Sequence, residues 1–314
     1  MSWKILAGLI LCNLIWSAHP LMGKWVLRDF SPSQGAWLRY SLALLTYGLA
    51  AKAIARKQPL FIKPKMNANY ALLILVGLWT FFLSPLTQMS GLSISTATDN
   101  ALIVAMEPLI CVFLARIFLK ETLNLNHWIS FVVALLGFSL LIGISPGARE
   151  GKLDPELWGN LLLLLSLTGE AAYAVFGKKL VAQFSALPFF GTALGIGVLA
   201  LTVCLFLFPD QSHHTVGFIP ISHLSLNSFI GLLWLGPLGT AAAYLFWVKA
   251  LSRVPVAAVA LTLFLQPVFG ALWGMMFLNE RLSPLRGMGG LLILFAVLLQ
   301  YFGNQRSVAS GASK

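Results

Sequence analysis

The 314 residues are 58% hydrophobic and only 10% charged, with a mean hydropathy of +0.85, which excludes an ordinary soluble domain, where about a quarter of residues carry charge. The net charge of +11 invites nucleic acid as a partner, but the basic residues fall in short clusters between apolar runs, a membrane-flanking pattern and not a basic binding face. No GxxxxGK[ST] loop exists to drive ATP hydrolysis, and no HExxH or CxxC pattern supplies a metal or redox centre.

Apolar runs long enough to cross a bilayer predict ten spans, over 4–23, 34–52, 69–91, 97–117, 127–145, 157–177, 187–208, 225–249, 255–278 and 286–303. The first carries Asn13, His19 and Pro20 and has no A-x-A-like cleavage site, so it reads as a helix and not a signal peptide. Asn13, Trp16 and His19 recur at spacings of three and fall along one side of it, as cavity lining or as helix contacts. Cys12, Cys111 and Cys204 are odd in number and far apart, which predicts neither disulfides nor a metal knuckle.

Spans 3 and 8 are interrupted by Pro85 and by Gly236, Pro237 and Gly239, and a loosened backbone at membrane depth is tolerated only beside protein or water. In span 4, Asp99 follows Thr96 and Thr98 and is expected to cap the helix start. Glu107 lies about ten residues in, roughly 15 Å deep, where a charge costs at least about 2.5 kcal/mol. Pro108 beside it removes a backbone donor and predicts a kink. An acid on a kink reads as a site on a hinge, or else as a protonated group gluing two helices.

In span 6, Glu170 stands in the run Thr168 to Tyr173. Aligning Gly23-Lys24 with Gly177-Lys178 (177 − 23, an offset of 154) sets Glu170 opposite Trp16 and pairs spans 1 and 6. If spans 1, 4, 6 and 9 line one cavity, Glu107 and Glu170 share it, which suits proton coupling or an amine ligand. Tyr173, Tyr244 and Gln266 are the further candidates for contact with a substrate, with Tyr244 and Gln266 equally readable as packing between helices. In the loop at 209–224, His213, His214 and His223 read as solvated residues rather than a metal site. Gly191 with Gly195 and Gly270 with Gly274 are spaced for close helix packing. Trp3, Trp25, Trp37, Trp128 and Trp158 fall at span ends as an interfacial belt, while Trp16, Trp79, Trp234, Trp247 and Trp273 lie inside spans.

The chain also repeats itself. Glu107-Pro108 followed by Phe118-Leu-Lys-Glu-Thr-Leu123 returns as Gln266-Pro267 followed by Phe277-Leu-Asn-Glu-Arg-Leu282. The two Pro positions (267 − 108) and the two Glu positions (280 − 121) share one offset, 159. A repeat of five spans is odd, so its second copy enters the membrane upside down. Lys and Arg divide 14 to 7 between the two sides, with Lys24, Arg28, Arg39, Arg149, Lys152, Arg281 and Arg286 on the poorer one. That places both termini in the cytoplasm, the orientation expected of a multi-pass inner-membrane protein.

Leu38-Arg39-Tyr40, the Asn100-Ala101-Leu102 run into Glu107-Pro108, Phe118 to Leu123 and Ala250 to Leu282 resemble the paired EamA units of the drug/metabolite transporter superfamily, over residues 5–303. The resemblance implies ten helices in two inverted five-helix repeats around a central cavity, spans 5 and 10 peripheral, and export of small metabolites such as amino acids. The expected division is 1–145 as first repeat, 146–156 as a periplasmic linker, 157–303 as second repeat and 304–314 as a cytoplasmic tail. Pro85, Pro108, Pro237 and Pro267 are the expected hinges. Partners are a small-molecule substrate, lipid and protons, with no cofactor and no nucleic acid. A membrane scaffold or sensor, or an integral-membrane enzyme, are the competing readings.

Overall fold

The structure, a computed structural model, describes residues 3–54, 59–64, 67–120, 125–141, 155–208, 224–244, 246–247 and 265–311. The described residues are helical, with no strand among them. Three helices are long and apolar enough to cross a bilayer, at 68–94, 155–177 and 186–207, and a bent pair, 97–104 with 107–118, meets the same test together. Shorter apolar helices fill the expected places of spans 5, 8, 9 and 10. The histidines of 209–223, Glu121 and the start of span 9 lie outside the described residues.

The first span is two helices, not one: α1 (Trp3–Ser17) and α2 (His19–Val26) meet at a turn on Ala18. Pro20, in the first turn of α2, has no N–H to give, and its ring would press on the carbonyl four residues back. The second span is α3 (Pro32–Ile54). Helices α4 (Ala68–Leu78) and α5 (Ser84–Ile94) form one continuous rod through a wide π-helical turn, Trp79–Leu83, just ahead of Pro85. A second wide turn, Trp234–Ala242, holds Pro237 and continues α11 (Leu226–Leu233). Spans 3 and 8 are therefore widened rather than broken, because an extra residue in the turn moves the clashing carbonyl away from each proline ring.

Span 4 does break. Helix α6 (Ala97–Val104) ends in tight bonds from Ala105 N–H to the Leu102 carbonyl and from Met106 N–H to the Ile103 carbonyl, and α7 (Glu107–Leu119) leaves at 47°. Pro108 is the physical cause expected from sequence. The cap of α6 is Thr96, whose hydroxyl accepts from Asp99 N–H at 2.9 Å. Asp99 is thus not the cap, and its carboxylate is turned to Asn160 and Arg286 instead.

The remaining elements are α8 (Leu125–Leu141), α9 (Pro155–Phe184), α10 (Ala186–Leu207), α12 (Leu265–Leu278) and α13 (Pro284–Gly311). The last continues past residue 303 as helix. Helices α8 and α13 pack against each other at the edge of the bundle. They touch backbone to backbone: a Cβ on Gly137 would stand 2.7 Å from the Gly289 carbonyl, and one on Gly289 2.5 Å from that of Gly137. Large apolar side chains such as Leu199 and Leu291 are about two-thirds exposed on the outside, as lipid contact requires. Gly191 abuts the Tyr47 ring and Gly270 abuts Ala101, but a Cβ on Gly195 would meet only the Phe61 ring, at an ordinary 3.9 Å, and no neighbouring helix backbone.

One contact occurs twice. Each wide turn begins on a tryptophan that donates its indole N–H to another helix: Trp79 to Thr168 Oγ1 on α9 at 3.0 Å, and Trp234 to the Ile15 carbonyl on α1 at 2.9 Å. Trp16 and Trp273 likewise donate to Gly239 O and Ser17 Oγ. Trp37, expected at the interface, instead donates to Thr202 on α10. Trp128 and Trp158 are about half exposed, as a belt demands.

Candidate functional site

The break in span 4 puts Glu107 in the first turn of α7, and α9 carries Glu170 near its middle. Helices α7 and α9 pack on each other, so the two carboxyls come within electrostatic reach. Both lie deep in protein and yet keep some accessible surface. Neither hydrogen-bonds to a described residue.

A cluster of aromatic rings gathers around Tyr173, one turn from Glu170, and Tyr244. Tyr244 stacks on Phe190 with centroids 5.6 Å apart and meets Tyr173 and Trp16 edge-on at 6.1 and 5.5 Å. Tyr173 stacks on Phe189 at 5.0 Å and meets Phe81 at 5.7 Å, and Phe81 meets Tyr40 at the same distance. Both Glu107 and Glu170 lie in the electrostatic neighbourhood of Tyr244. Cys111 stands one turn beyond Glu107 on α7. Stacked and edge-on rings of this kind present negative faces and phenolic tips, a surroundings suited to a cation.

Five of the expected site residues thus come together: Glu107, Glu170, Trp16, Tyr173 and Tyr244. Asn13 and Gln266 do not join them as free polar groups. Gln266 Nε2 donates to Asn13 Oδ1 at 2.8 Å while Asn13 Nδ2 donates to the Leu9 carbonyl, so the pair ties α1 to α12. His19 sits behind the site, with Nδ1 3.4 Å from Arg39 Nη2. Among the prolines, Pro85 and Pro237 flank or occupy the wide turns, Pro108 follows the break, and Pro267 is buried in the first turn of α12, whose approach lies outside the described residues.

Sequence reasoning missed Arg39. It was counted as a loop cation on the poorer side, but it is 5% exposed inside the bundle. Its place five residues into the second span, within Leu38-Arg39-Tyr40, was the available signal.

The end of the bundle bearing residues 95–99, 156–160 and 280–286 is tied by charge. Arg286 makes a bidentate pair with Glu156, both bonds at 2.7 Å, and reaches Asp99 at 3.3 Å. Asn160 donates to Asp99 and accepts from Ser95. Glu280 spans the start of α6, accepting from Ala97 N–H, Thr98 N–H and the Thr98 hydroxyl at 2.8, 2.7 and 2.6 Å. It is turned there by Asn279, whose φ is 55°, as Lys120 with φ 56° turns the chain after α7. Nearby, Asp29 between α2 and α3 accepts from Ser225 N–H at 2.8 Å. Partial desolvation works to raise its pKa, but the Ser225 and Ser228 bonds and the charge of Arg28 outweigh it, leaving the carboxyl below its ordinary 3.8.

An all-helical bundle with lipid-facing apolar surface and a polar pair at its centre defines a multi-pass membrane protein of the transporter class. The chain belongs to the EamA-like transporter family, whose profile matches residues 2–143 and again 157–302. An uncharacterized transporter of Archaeoglobus fulgidus is 24% identical over 302 residues, 95% of this chain and 98% of its own. One from Methanothermobacter thermautotrophicus is 22% identical, covering 81% of this chain and 70% of that protein. A WAT1-related chloroplastic protein of Arabidopsis thaliana is 24% identical over 88% of this chain and 65% of its own. A solved crystal structure shares the fold, with a TM-score of 0.64 at 16% identity over 96% of this chain and 97% of its own. The run Gly143-Ile144-Ser145-Pro146-Gly147 has hydrolase G-x-S-x-G spacing, but that motif works at a strand-to-helix elbow, and the family is one of transporters, not enzymes.

Proposed function

We propose that this protein is a secondary transporter that exports small amine-bearing or amino-acid-like metabolites across the inner membrane, with both termini cytoplasmic, in exchange for protons. Two inverted halves, 1–145 and 157–303, of five spans each, rock about a midplane cavity holding Glu107 and Glu170. The observation that carries this reading is the pair of carboxyls on packed helices, without a hydrogen bond among the described residues, beside the aromatic cluster of Tyr173 and Tyr244. Two such acids resist a double negative charge in surroundings of low polarity, so a proton or a cationic amine satisfies the same need and the two compete. The doubled tryptophan contact and the two separate family matches support two like halves. By the positive-inside count, the end tied by Arg286 and Glu280 faces outward.

The test is efflux from proteoliposomes with and without a pH gradient, using cargo identified by comparing the medium of cells with and without the overexpressed protein. Gradient-driven efflux is expected, and Glu107→Gln is expected to abolish the dependence on the gradient. Transport indifferent to the gradient in the unaltered protein removes proton exchange and leaves a uniporter.

A further inference from the structure

The polar tie at one end of the bundle holds contacts of two kinds. Its closest ion pair, Arg286 with Glu156, joins α13 to α9 and so lies within the second half. What crosses to the first half is above all Glu280, whose carboxylate accepts from Ala97 N–H, Thr98 N–H and the Thr98 hydroxyl at 2.8, 2.7 and 2.6 Å. Ser95 also bonds across to Asn160, and Asn160 and Arg286 each reach Asp99 at a longer 3.3 Å. The halves can therefore part at this end with the Arg286–Glu156 pair whole, but not while Glu280 holds.

The place is shaped around that carboxylate. The first N–H groups of a helix have no acceptor in their own helix, and here Glu280 takes those of Ala97 and Thr98 while the Thr96 hydroxyl takes that of Asp99. Gly274 on α12 leaves the room, since a Cβ there would stand 2.4 Å from Thr98 Oγ1 and 2.7 Å from Glu280 Oε2. Four residues earlier Gly270 admits Ala101 in the same way, with 2.6 Å between a Cβ and that of Ala101, so α6 lies flush along α12. Asn279 and Arg281, on either side of Glu280, are exposed. A released carboxylate and the amides it frees thus find water, an exchange of bonds at modest net cost. At its other end α6 meets the 47° bend ahead of Glu107.

Resting on the reading of two moving halves, and not on proton exchange, we propose that Glu280 is a reversible latch: its carboxylate fastens α6 of the first half to the second, and the site at Glu107 and Glu170 opens outward when it lets go of Ala97 and Thr98. The latch is engaged in this structure. The moving part is then α6, eight residues long, swung at its bend, while the Arg286–Glu156 pair stays behind with the second half.

Hydrogen–deuterium exchange of the purified full chain in lipid nanodiscs, resolved to single amides and corrected for intrinsic rates, reads the latch without any cargo. Ala97 and Thr98 report Glu280, whereas Asn100 N–H bonds to the Thr96 carbonyl and reports α6 itself. In the unaltered chain Ala97 and Thr98 are expected to exchange at least about tenfold faster than Asn100, because a local opening is cheaper than unfolding the helix. Equal protection of the three amides overturns the proposal, since Glu280 is then a fixed cap. Glu280→Gln offers one acceptor oxygen where two are used, and is expected to speed Ala97 and Thr98 and leave Asn100 unmoved. The gating role is read in a chain with Cys12→Ser and Cys204→Ser, where a membrane-impermeant maleimide applied from the outer side should modify Cys111 several-fold faster once Glu280→Gln is added. Gly274→Ala, which presses a methyl on Thr98 without altering any charge, should do the same. A Cys111 rate unchanged in both variants overturns the gate. Gradient-independent efflux with the exchange and labelling results preserved removes proton exchange alone.

Discussion

Asn13 and Gln266 show what a polar residue in an apolar run becomes when its partner is protein rather than ligand. Sequence left both open between substrate contact and helix contact, because depth and residue type are legible there, whereas the partner, 253 residues away, is not. Glu107 and Glu170 were legible for the same reason, and remained without a protein partner among the described residues. Arg39 escaped because a cation near the start of a span is indistinguishable in sequence from one that snorkels to the surface. Asn13→Ala and Gln266→Ala, combined in a double-mutant cycle of unfolding in detergent, should show a coupling of about 0.6 kcal/mol and no more than about 1.7 kcal/mol. Asp29 adds a pH signature. Its carboxyl is lowered in the folded chain, so what it contributes is complete above the ordinary carboxyl range and is lost as pH falls through the lowered value. Asp29→Asn should remove that acid-side dependence from a melting-temperature series.

Prolines announce that a helix is disturbed but not how. Pro85 and Pro237 both sit with a π-helical turn, and Pro108 with a 47° break, yet all three read alike in sequence. The choice is made by neighbours. Trp79 and Trp234 anchor the wide turns through hydrogen bonds to other helices, while Glu280 takes the free N–H groups at the start of α6 and leaves its far end to turn. These bonds join residues more than 80 positions apart, beyond any local pattern. Trp79→Phe and Trp234→Phe keep the ring and lose the donor, so each should lower unfolding stability in detergent by about 0.6 kcal/mol, by similar amounts.

At the scale of the molecule, the duplicated motif and the count of apolar runs were enough to give an all-helical membrane bundle. The charged tie at one end was not legible, because its members come from α6, α9 and α13 and only the fold brings Asp99, Glu156 and Arg286 together. Arg286→Ala should loosen that end. In a chain with Cys12→Ser and Cys204→Ser, a membrane-impermeant maleimide applied from that side of oriented vesicles should modify Cys111 several-fold faster than when Arg286 is present. An unchanged rate means the tie does not guard the path. The paired glycines of α8 and α13 bear on the same motion. With carbonyls lodged where side chains would otherwise stand, the two helices cannot slip lengthwise past each other. This seam between the proposed halves is then a fulcrum, and the freedom left to them is tilting about it.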